Sequence, residues 1–141
     1  MVIIEVNENN LNLIESFLDG AGNSLNSFRY FNKREISIVL KHVCTYLVKI
    51  EDQIVGYCHL EEEYDGKIWL GIAVSEFYVG QGIGTSMMNH LMNFATVKKM
   101  REIHLSVDRD NVSAQLLYKR FDFKRTHNKG DVCFFKKVFN E

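Results

Sequence analysis

Three glycines occupy five consecutive positions in the segment Gly80–Gly84, where backbone N–H groups could hold a phosphate or another anion. An apolar strand pattern at Ile68–Val74 precedes this segment, and apolar residues at helical spacing follow it at Thr85–Lys98. A helix N-terminus presents unpaired N–H groups and a partial positive charge, and glycine lets the backbone approach an anion closely. The sequence therefore predicts an anion-binding turn between a buried strand and a long helix.

The pattern of this turn argues against two common phosphate-binding motifs. A Walker A loop ends in Gly-Lys-Ser/Thr, whereas Gly84 is followed directly by Thr85. A dinucleotide-binding turn needs a third glycine where Thr85 stands. It also needs an acidic residue at the end of the next strand, whereas Glu102 begins that strand. An ordinary glycine-rich connection between a strand and a helix is the simplest alternative.

The elements that would position this turn form a mixed α/β fold. Strand patterns occur at Val2–Val6, Thr45–Ile50, Ile54–Glu63, Ile68–Val74, Glu102–Val107, Phe123–Thr126 and Val132–Phe139. Helical patterns occur at Asn10–Asp19, Phe28–Val39, Thr85–Lys98 and Ser113–Arg120. The order predicts hairpins around one strand–helix–strand crossover. We therefore predict a central sheet of about seven strands, in which the fourth and fifth strands are parallel.

Length and charge limit the class of protein. The chain has 141 residues, which fits one domain over residues 1–141. Its formal net charge is −1 and no apolar run is long enough for a membrane span, so neither nucleic acid nor a membrane is expected as a partner. Cys44, Cys58 and Cys133 fit no disulfide or metal-ligand pattern. We expect reduced thiols, no bound metal and a cytoplasmic protein.

Two segments carry a resemblance to a known family. The first, Val74–Thr85, is the end of a strand, a short link, and then Gly82 and Gly84 at two small positions before a helix. The second, Asn111–Phe123, has an Asn that opens a short helix and Tyr118 near the end of that helix. These segments resemble motifs A and B of the GNAT superfamily of N-acetyltransferases.

Two positions depart from the family's pattern. Val79 stands where the family usually has Gln or Arg, so the turn would bind its ligand through backbone amides. Asp122 replaces a glycine that usually follows the second helix, which changes the chemistry of the turn there.

The resemblance implies the GNAT fold, with the fourth and fifth strands splayed apart, and acetyl-CoA as the co-substrate. The pantetheine arm would pair with the fourth strand, and the pyrophosphate would rest on the glycine-rich turn. Asn111 would lie near the CoA arm or cap its helix, since Asn is a good N-cap. The implied cofactor-binding residues are Ile72, Ala73, Val74, Val79, Gly80, Gln81, Gly82, Ile83, Gly84, Thr85, Asn111 and Tyr118.

Acetyl transfer to an amine needs a group that accepts the amine proton and a group that protonates the departing thiolate. The resemblance makes Tyr118 the general acid. The fourth strand carries no ionisable residue, so the base is either a side chain of the third strand or a chain of water molecules. A two-residue turn at Asp65-Gly66 would pair Glu61 with Leu70, where the family often has a base. Glu61 is therefore the predicted base.

Neighbouring carboxylates are alternatives to Glu61. Glu63 would share its face of the strand, and a register shifted by one residue would bring Glu62 to that face instead.

The sequence constrains the chemical identity of the acceptor less than that of the donor. Arg29 and Tyr30 lie in an aromatic and basic segment where the resemblance places the acceptor site, and an arginine there could clamp a carboxylate or phosphate. The run Glu61–Glu63 favours a cation instead.

We predict direct acetyl transfer to a primary amine of a small molecule, of the amino sugar, polyamine or amino acid type. A protein or peptide N-acetyltransferase and a non-catalytic acyl-CoA-binding regulatory module are the alternatives, and the apolar strand Val132–Phe139 would allow a homodimer.

Overall fold

A computed structural model describes residues 1–139 as one seven-stranded sheet with helices on both faces. The strands are β1 (Val2–Glu5), β2 (Cys44–Ile50), β3 (Gln53–Glu62), β4 (Ile68–Val74), β5 (Glu102–Asp108), β6 (Lys124–Lys129) and β7 (Val132–Val138). The α-helices are α1 (Asn12–Gly20), α2 (Ile83–Val97) and α3 (Val112–Arg120). Short 3-10 helices occur at Gly22–Asn26, Tyr30–Asn32, Ile36–Lys41 and Glu76–Tyr78. Within the described chain, no helix is long and apolar enough to cross a membrane.

The strands lie in the order β1-β2-β3-β4-β5-β7-β6. Neighbouring strands are antiparallel except β4 and β5, which are parallel and are joined through α2. The predicted mixed sheet and its crossover are therefore confirmed.

The strands β4 and β5 pair at one position only, Trp69 beside His104. On their outer edges, both strands stay paired to their ends, with Val74 opposite Gly56 of β3 and Asp108 opposite Val132 of β7. The sheet therefore opens between β4 and β5 toward their C-terminal ends, as the predicted splay requires.

The two faces of the sheet are covered by different parts of the chain. On one face, called the α2 face here, Met88 and Leu91 of α2 pack in a cluster with Leu60 and Leu105. On the other, the α1 face, the fully buried Phe17 of α1 packs in a second cluster with the strand residues Leu47, Ile54, Tyr57 and Ala73. From Tyr57 onward in β3, and throughout β4, successive residues alternate between faces, so the odd-numbered residues there lie on the α1 face.

The hairpin between β3 and β4 has a different register from the predicted one. The backbone N–H of Glu63 bonds to the carbonyl of Lys67, so three residues, not two, form the loop. Gly66 has a φ of 85°, which suits a three-residue loop as well as a two-residue turn. As a result, Glu62 lies opposite Ile68 and Glu61 lies opposite Trp69. The predicted pair of Glu61 with Leu70 is wrong.

The predicted helix Phe28–Val39 is also wrong. Two 3-10 helices, Tyr30–Asn32 and Ile36–Lys41, stand in its place and are separated at Glu35, whose backbone is extended. The apolar residues of this segment are partly buried against the α1-face cluster at irregular spacing. Long-range packing against the sheet, which helical spacing alone does not reveal, decides the local conformation here.

Asp122 has a φ of 69°, in the left-handed region that favours glycine, at the position where the GNAT pattern has glycine. We expect Asp122→Gly to raise the free energy of unfolding by up to about 1 kcal/mol, because the strain of this φ is relieved. Asp122→Val is the matched control and should lower that free energy by about 1–2 kcal/mol. Urea denaturation measures both changes, and a valine variant as stable as the parent would contradict this account.

Candidate active site

One cleft of about 820 Å³ follows the opening between β4 and β5. Its walls come from β4, the glycine-rich turn, α3 and the segment between α1 and β2. Residues that are far apart in the sequence therefore share one cavity, with a glycine-rich turn at one end and ionisable side chains at the other.

The glycine-rich turn has the backbone conformation that its sequence suggests. Gly80 and Gly82 have φ values of 78° and 79°, and Gly82 directly precedes the first residue of α2, Ile83. A side chain added at either glycine would meet no atom within 4 Å, so the turn leaves open space in front of the helix N-terminus. A helix N-terminus facing open space can bind an anion with its free N–H groups.

Six of the seven residues predicted for this turn line the cleft, namely Val79, Gly80, Gly82, Ile83, Gly84 and Thr85. Gln81 is exposed and lies outside the lining. Gly84 also lets α3 pack closely against the start of α2, since an added Cβ would lie 3.1 Å from the Leu117 side chain of α3. Arg120 of α3 also lines the cleft near Thr85, and it adds a cation that the sequence did not indicate.

Ile72, Ala73 and Val74 of β4 also line the cleft. Beyond Trp69, none of these residues pairs with β5. The carbonyl of Val74 accepts a hydrogen bond from the Ser24 hydroxyl at 2.5 Å. Apart from this carbonyl, the edge of β4 beyond Trp69 is open to an extended ligand.

The helix α3 places its two predicted residues in the cleft. Asn111 is the N-cap, and its side-chain oxygen accepts a hydrogen bond from the backbone N–H of Ala114 at 3.3 Å. Tyr118 is 5% exposed and packs against Phe123, and burial raises the pKa of its phenol. Its proton is therefore retained at neutral pH.

A chain of hydrogen bonds ends at Glu61. The Tyr30 hydroxyl donates to Glu61 Oε2 at 2.9 Å, and it also lies 2.7 Å from His42 Nε2. His42 Nδ1 in turn lies 2.8 Å from the Thr45 hydroxyl. Since a hydroxyl has one proton, Tyr30 donates to the carboxylate only if His42 Nε2–H donates to Tyr30 and Thr45 donates to His42. Every donor in the chain is then directed toward Glu61.

Burial lowers the pKa of His42 to about 4, although Glu61 opposes this shift. Burial and the hydrogen bond to Glu61 both raise the pKa of Tyr30. His42 is therefore neutral and Tyr30 protonated at neutral pH, so neither brings a charge of its own to Glu61. Its side chain is 23% exposed and lines the cleft.

A second pair, Tyr57 and His59, lies beside this chain on β3. The Tyr57 hydroxyl lies 2.6 Å from His59 Nδ1, and both residues are buried. Within residues 1–139, His42, His59 and Glu61 form the group that could ligate a metal ion. The Tyr30 hydroxyl already bonds two of these three residues, so the cluster is a hydrogen-bond network as it stands.

Arg29 does not present a free guanidinium for an anion. It forms a bidentate ion pair with Asp108 at the end of β5, with N–O distances of 2.8 and 3.0 Å. Arg34 stacks over the Tyr30 ring, 4.2 Å from its centroid. Both predicted acceptor residues thus line the cleft, but the charge of Arg29 is matched by Asp108.

Sequence reasoning missed several residues of this site. The alternation of Tyr57, His59 and Glu61 along one strand was a visible signal that three polar groups share a face. No local signal pointed to His42, which follows the 3-10 helix Ile36–Lys41, or to Thr45 of β2, because tertiary packing brings both to the site.

The chain is similar in sequence to known acetyltransferases. Residues 10–123 match the family model described as Acetyltransferase (GNAT) family. A spermine/spermidine N(1)-acetyltransferase of Bacillus subtilis (strain 168) is 30% identical over 114 residues, which cover 72% of this chain and 75% of that protein.

Solved structures share the fold. The structure of yncA, a putative acetyltransferase from Salmonella typhimurium with its cofactor acetyl-CoA, has a TM-score of 0.80 at 14% identity. That match covers 100% of this chain and 95% of the other. The GNAT domain of S. lividans PAT has a TM-score of 0.84 at 10% identity, and that match covers 97% of this chain and 89% of the other.

The open space at Gly82 gives a test of the turn. We expect Gly82→Ala to weaken acetyl-CoA binding by at least about tenfold, because a Cβ would stand where the backbone meets the ligand. Gly66→Ala is a matched control, since Gly66 also has a positive φ and open space but lies at the distant hairpin. Isothermal titration calorimetry measures both affinities. Equal affinities in the two variants would place the ligand elsewhere.

Proposed function

The chain belongs to the GNAT acetyltransferase family, and on this premise we propose that it transfers the acetyl group of acetyl-CoA directly to a primary amine of a small molecule, with a polyamine-type cation as the favoured acceptor. The proposal takes residues 1–141 as one acetyltransferase domain. One observation carries it: the Glu61 carboxylate lies on the α1 face, in the cleft that also contains the glycine-rich turn and the open edge of β4.

In this proposal, the donor occupies the glycine-rich end of the cleft. The pyrophosphate binds the amides of the turn, with Arg120 as an added positive charge. The pantetheine arm, which carries amide groups, pairs with the open edge of β4 at Ile72–Val74. This arrangement directs the thioester toward Tyr118 and toward the α1 face.

The charges at the other end favour a cation. The ion pair with Asp108 neutralises the charge of Arg29. Among the described residues at this end of the cleft, two carboxylates, Glu61 and Glu63, then remain against one cation, Arg34. The Trp69 ring lies opposite Glu61, and an aromatic face next to carboxylates suits an ammonium group. The name of the Bacillus subtilis relative, a spermine/spermidine acetyltransferase, supports the same class of acceptor.

The residues suffice for the chemistry. An acceptor ammonium loses a proton to the Glu61 carboxylate, and the neutral nitrogen then attacks the acyl carbon. The new C–N bond forms as the C–S bond breaks, and the Tyr118 hydroxyl supplies a proton to the leaving sulfur. The nitrogen gives up its second proton to water, and Tyr118 regains its proton from water, so the sum is one proton released per acetyl group transferred. Tyr118 retains that proton until it is needed, because burial raises the pKa of the phenol.

An acetyl-CoA consumption assay tests the proposed function. The panel comprises spermidine, spermine, amino sugars, amino acids and peptides with free N-termini. We expect turnover with polyamines, and a fall in kcat/KM of about a hundredfold in Glu61→Gln, because an amide cannot accept the proton. Glu62→Gln is the matched control, since Glu62 lies on the opposite face. Acetylation of peptides alone would favour a protein acetyltransferase, and binding without turnover would favour the regulatory module.

The general acid has its own test. We expect Tyr118→Phe to lower kcat by about a hundredfold and to leave acetyl-CoA affinity nearly unchanged, because only the proton donor is removed. Tyr64→Phe at the exposed hairpin tip is the control. Unchanged turnover of Tyr118→Phe at every pH would remove this assignment.

A further inference from the structure

His59 occupies the space that a β4 side chain would otherwise fill. Gly71 lies opposite His59, and a Cβ added at Gly71 would lie 2.5 Å from His59 Nε2. Any side chain at position 71 would therefore displace the ring. Since His59 lines the cleft, β3 provides an imidazole at the middle of β4, on the α1 face.

The hydrogen bond with Tyr57 decides which ring nitrogen carries the proton. Tyr57 is fully buried, and within residues 1–139 its hydroxyl bonds to His59 Nδ1 and to no other group. If Nδ1–H donated to Tyr57, the phenol proton would be left buried without an acceptor, which is costly. Tyr57 therefore donates to Nδ1, and the hydrogen of the neutral ring is on Nε2, the nitrogen over Gly71.

The surroundings of the ring keep it neutral. Tyr30 and His42 from the segment before β2 contact it, with ring centroids at 4.5 and 4.4 Å, and Arg34 adds a positive charge nearby. Burial, with smaller contributions from His42 and Arg34, lowers the pKa of His59 well below its ordinary value. A neutral ring with its hydrogen on Nε2 is a hydrogen-bond donor at this point of the cleft.

We propose that His59 is a further catalytic residue, whose Nε2–H donates a hydrogen bond to the acyl carbonyl oxygen during acetyl transfer. This inference rests on the proposed function, in which the pantetheine arm lies along Ile72–Val74 and the acyl group follows it toward Gly71. Tyr57 is a positioning residue, because it acts only through the tautomer of His59.

The step moves electrons but no proton at His59. As the amine nitrogen bonds to the acyl carbon, the carbonyl π electrons move to the oxygen, and the Nε2–H hydrogen bond stabilises the negative charge that develops there. As the C–S bond breaks, these electrons re-form the carbonyl and the hydrogen bond weakens. The first amine proton goes to Glu61, the second goes to water, and the proton on sulfur comes from Tyr118, so each of the three residues has a separate role.

The tautomer is tested in the protein without any ligand. Nitrogen-15 NMR of the histidine rings should show His59 neutral, with its hydrogen on Nε2, near neutral pH. In Tyr57→Phe the preference for one tautomer should be lost, because no donor then faces Nδ1. A neutral ring with its hydrogen on Nδ1, or a protonated ring, would overturn the inference whatever the enzyme acetylates.

The catalytic role is tested with two amides. The Gln amide nitrogen reaches the position of Nε2, whereas the Asn amide reaches only that of Nδ1. We expect His59→Asn to lower kcat by about a hundredfold and His59→Gln by less than about tenfold, with little change in the KM of the amine. Equal losses in both variants would overturn the donor role, since an amide cannot replace a base in either position.

The controls separate this inference from the proposed function. If the parent protein binds acetyl-CoA but acetylates no amine of the panel, the proposed function fails. If the parent is active and His59→Asn turns over equally fast, the role of His59 fails alone. Circular dichroism and acetyl-CoA titration of each variant show whether it is folded.

Discussion

The single pairing of β4 with β5, at Trp69 and His104, is the constraint on which the rest of the site depends. Each strand is held on its outer edge, β4 by β3 and β5 by β7, so neither can move to close the gap. Backbone N–H and C=O groups along the inner edge of β4 then need partners from outside the sheet. The glycine-rich turn follows β4 directly, so a ligand that pairs with this edge also reaches the helix N-terminus.

The alternation of side chains along β4 divides the site between two faces. Leu70 and Ile72 belong to the core under α2, so only Trp69, Gly71 and Ala73 can face the acceptor side, and none of the three can ionise. The ionisable groups come from β3 instead. The absence of a side chain at Gly71 lets His59 of β3 reach across β4. The two neighbouring strands together therefore place an ionisable side chain at the position where an acidic residue of β4 could otherwise stand.

Local signals made the strand–turn–helix unit and the order of elements predictable. Gly82 and Asn111 act through their own backbone and nearest neighbours, so their roles could be inferred from their types. The register of Glu61 was not predictable, since a glycine at position 66 fits hairpin loops of two lengths and one residue of difference reverses the face. Nor was the ion pair of Arg29, because Asp108 is 79 residues away and only the fold brings the two together.

The failed helix prediction and the acceptor site have the same physical cause. A continuous helix from Phe28 to Val39 would place Val39 about 14 Å along the axis from Tyr30, and the three residues to His42 would have to span most of that distance back. The 2.7 Å contact between Tyr30 and His42 therefore requires the chain to fold back on itself, as the break at Glu35 allows. Partly buried aromatic rings of the segment hold this arrangement, with Phe28 and Phe31 packed on the buried Tyr57. Hydrophobic packing thus overrides helical spacing in the segment that positions Glu61, and the groups that meet the acceptor are set by tertiary contacts rather than by a local motif.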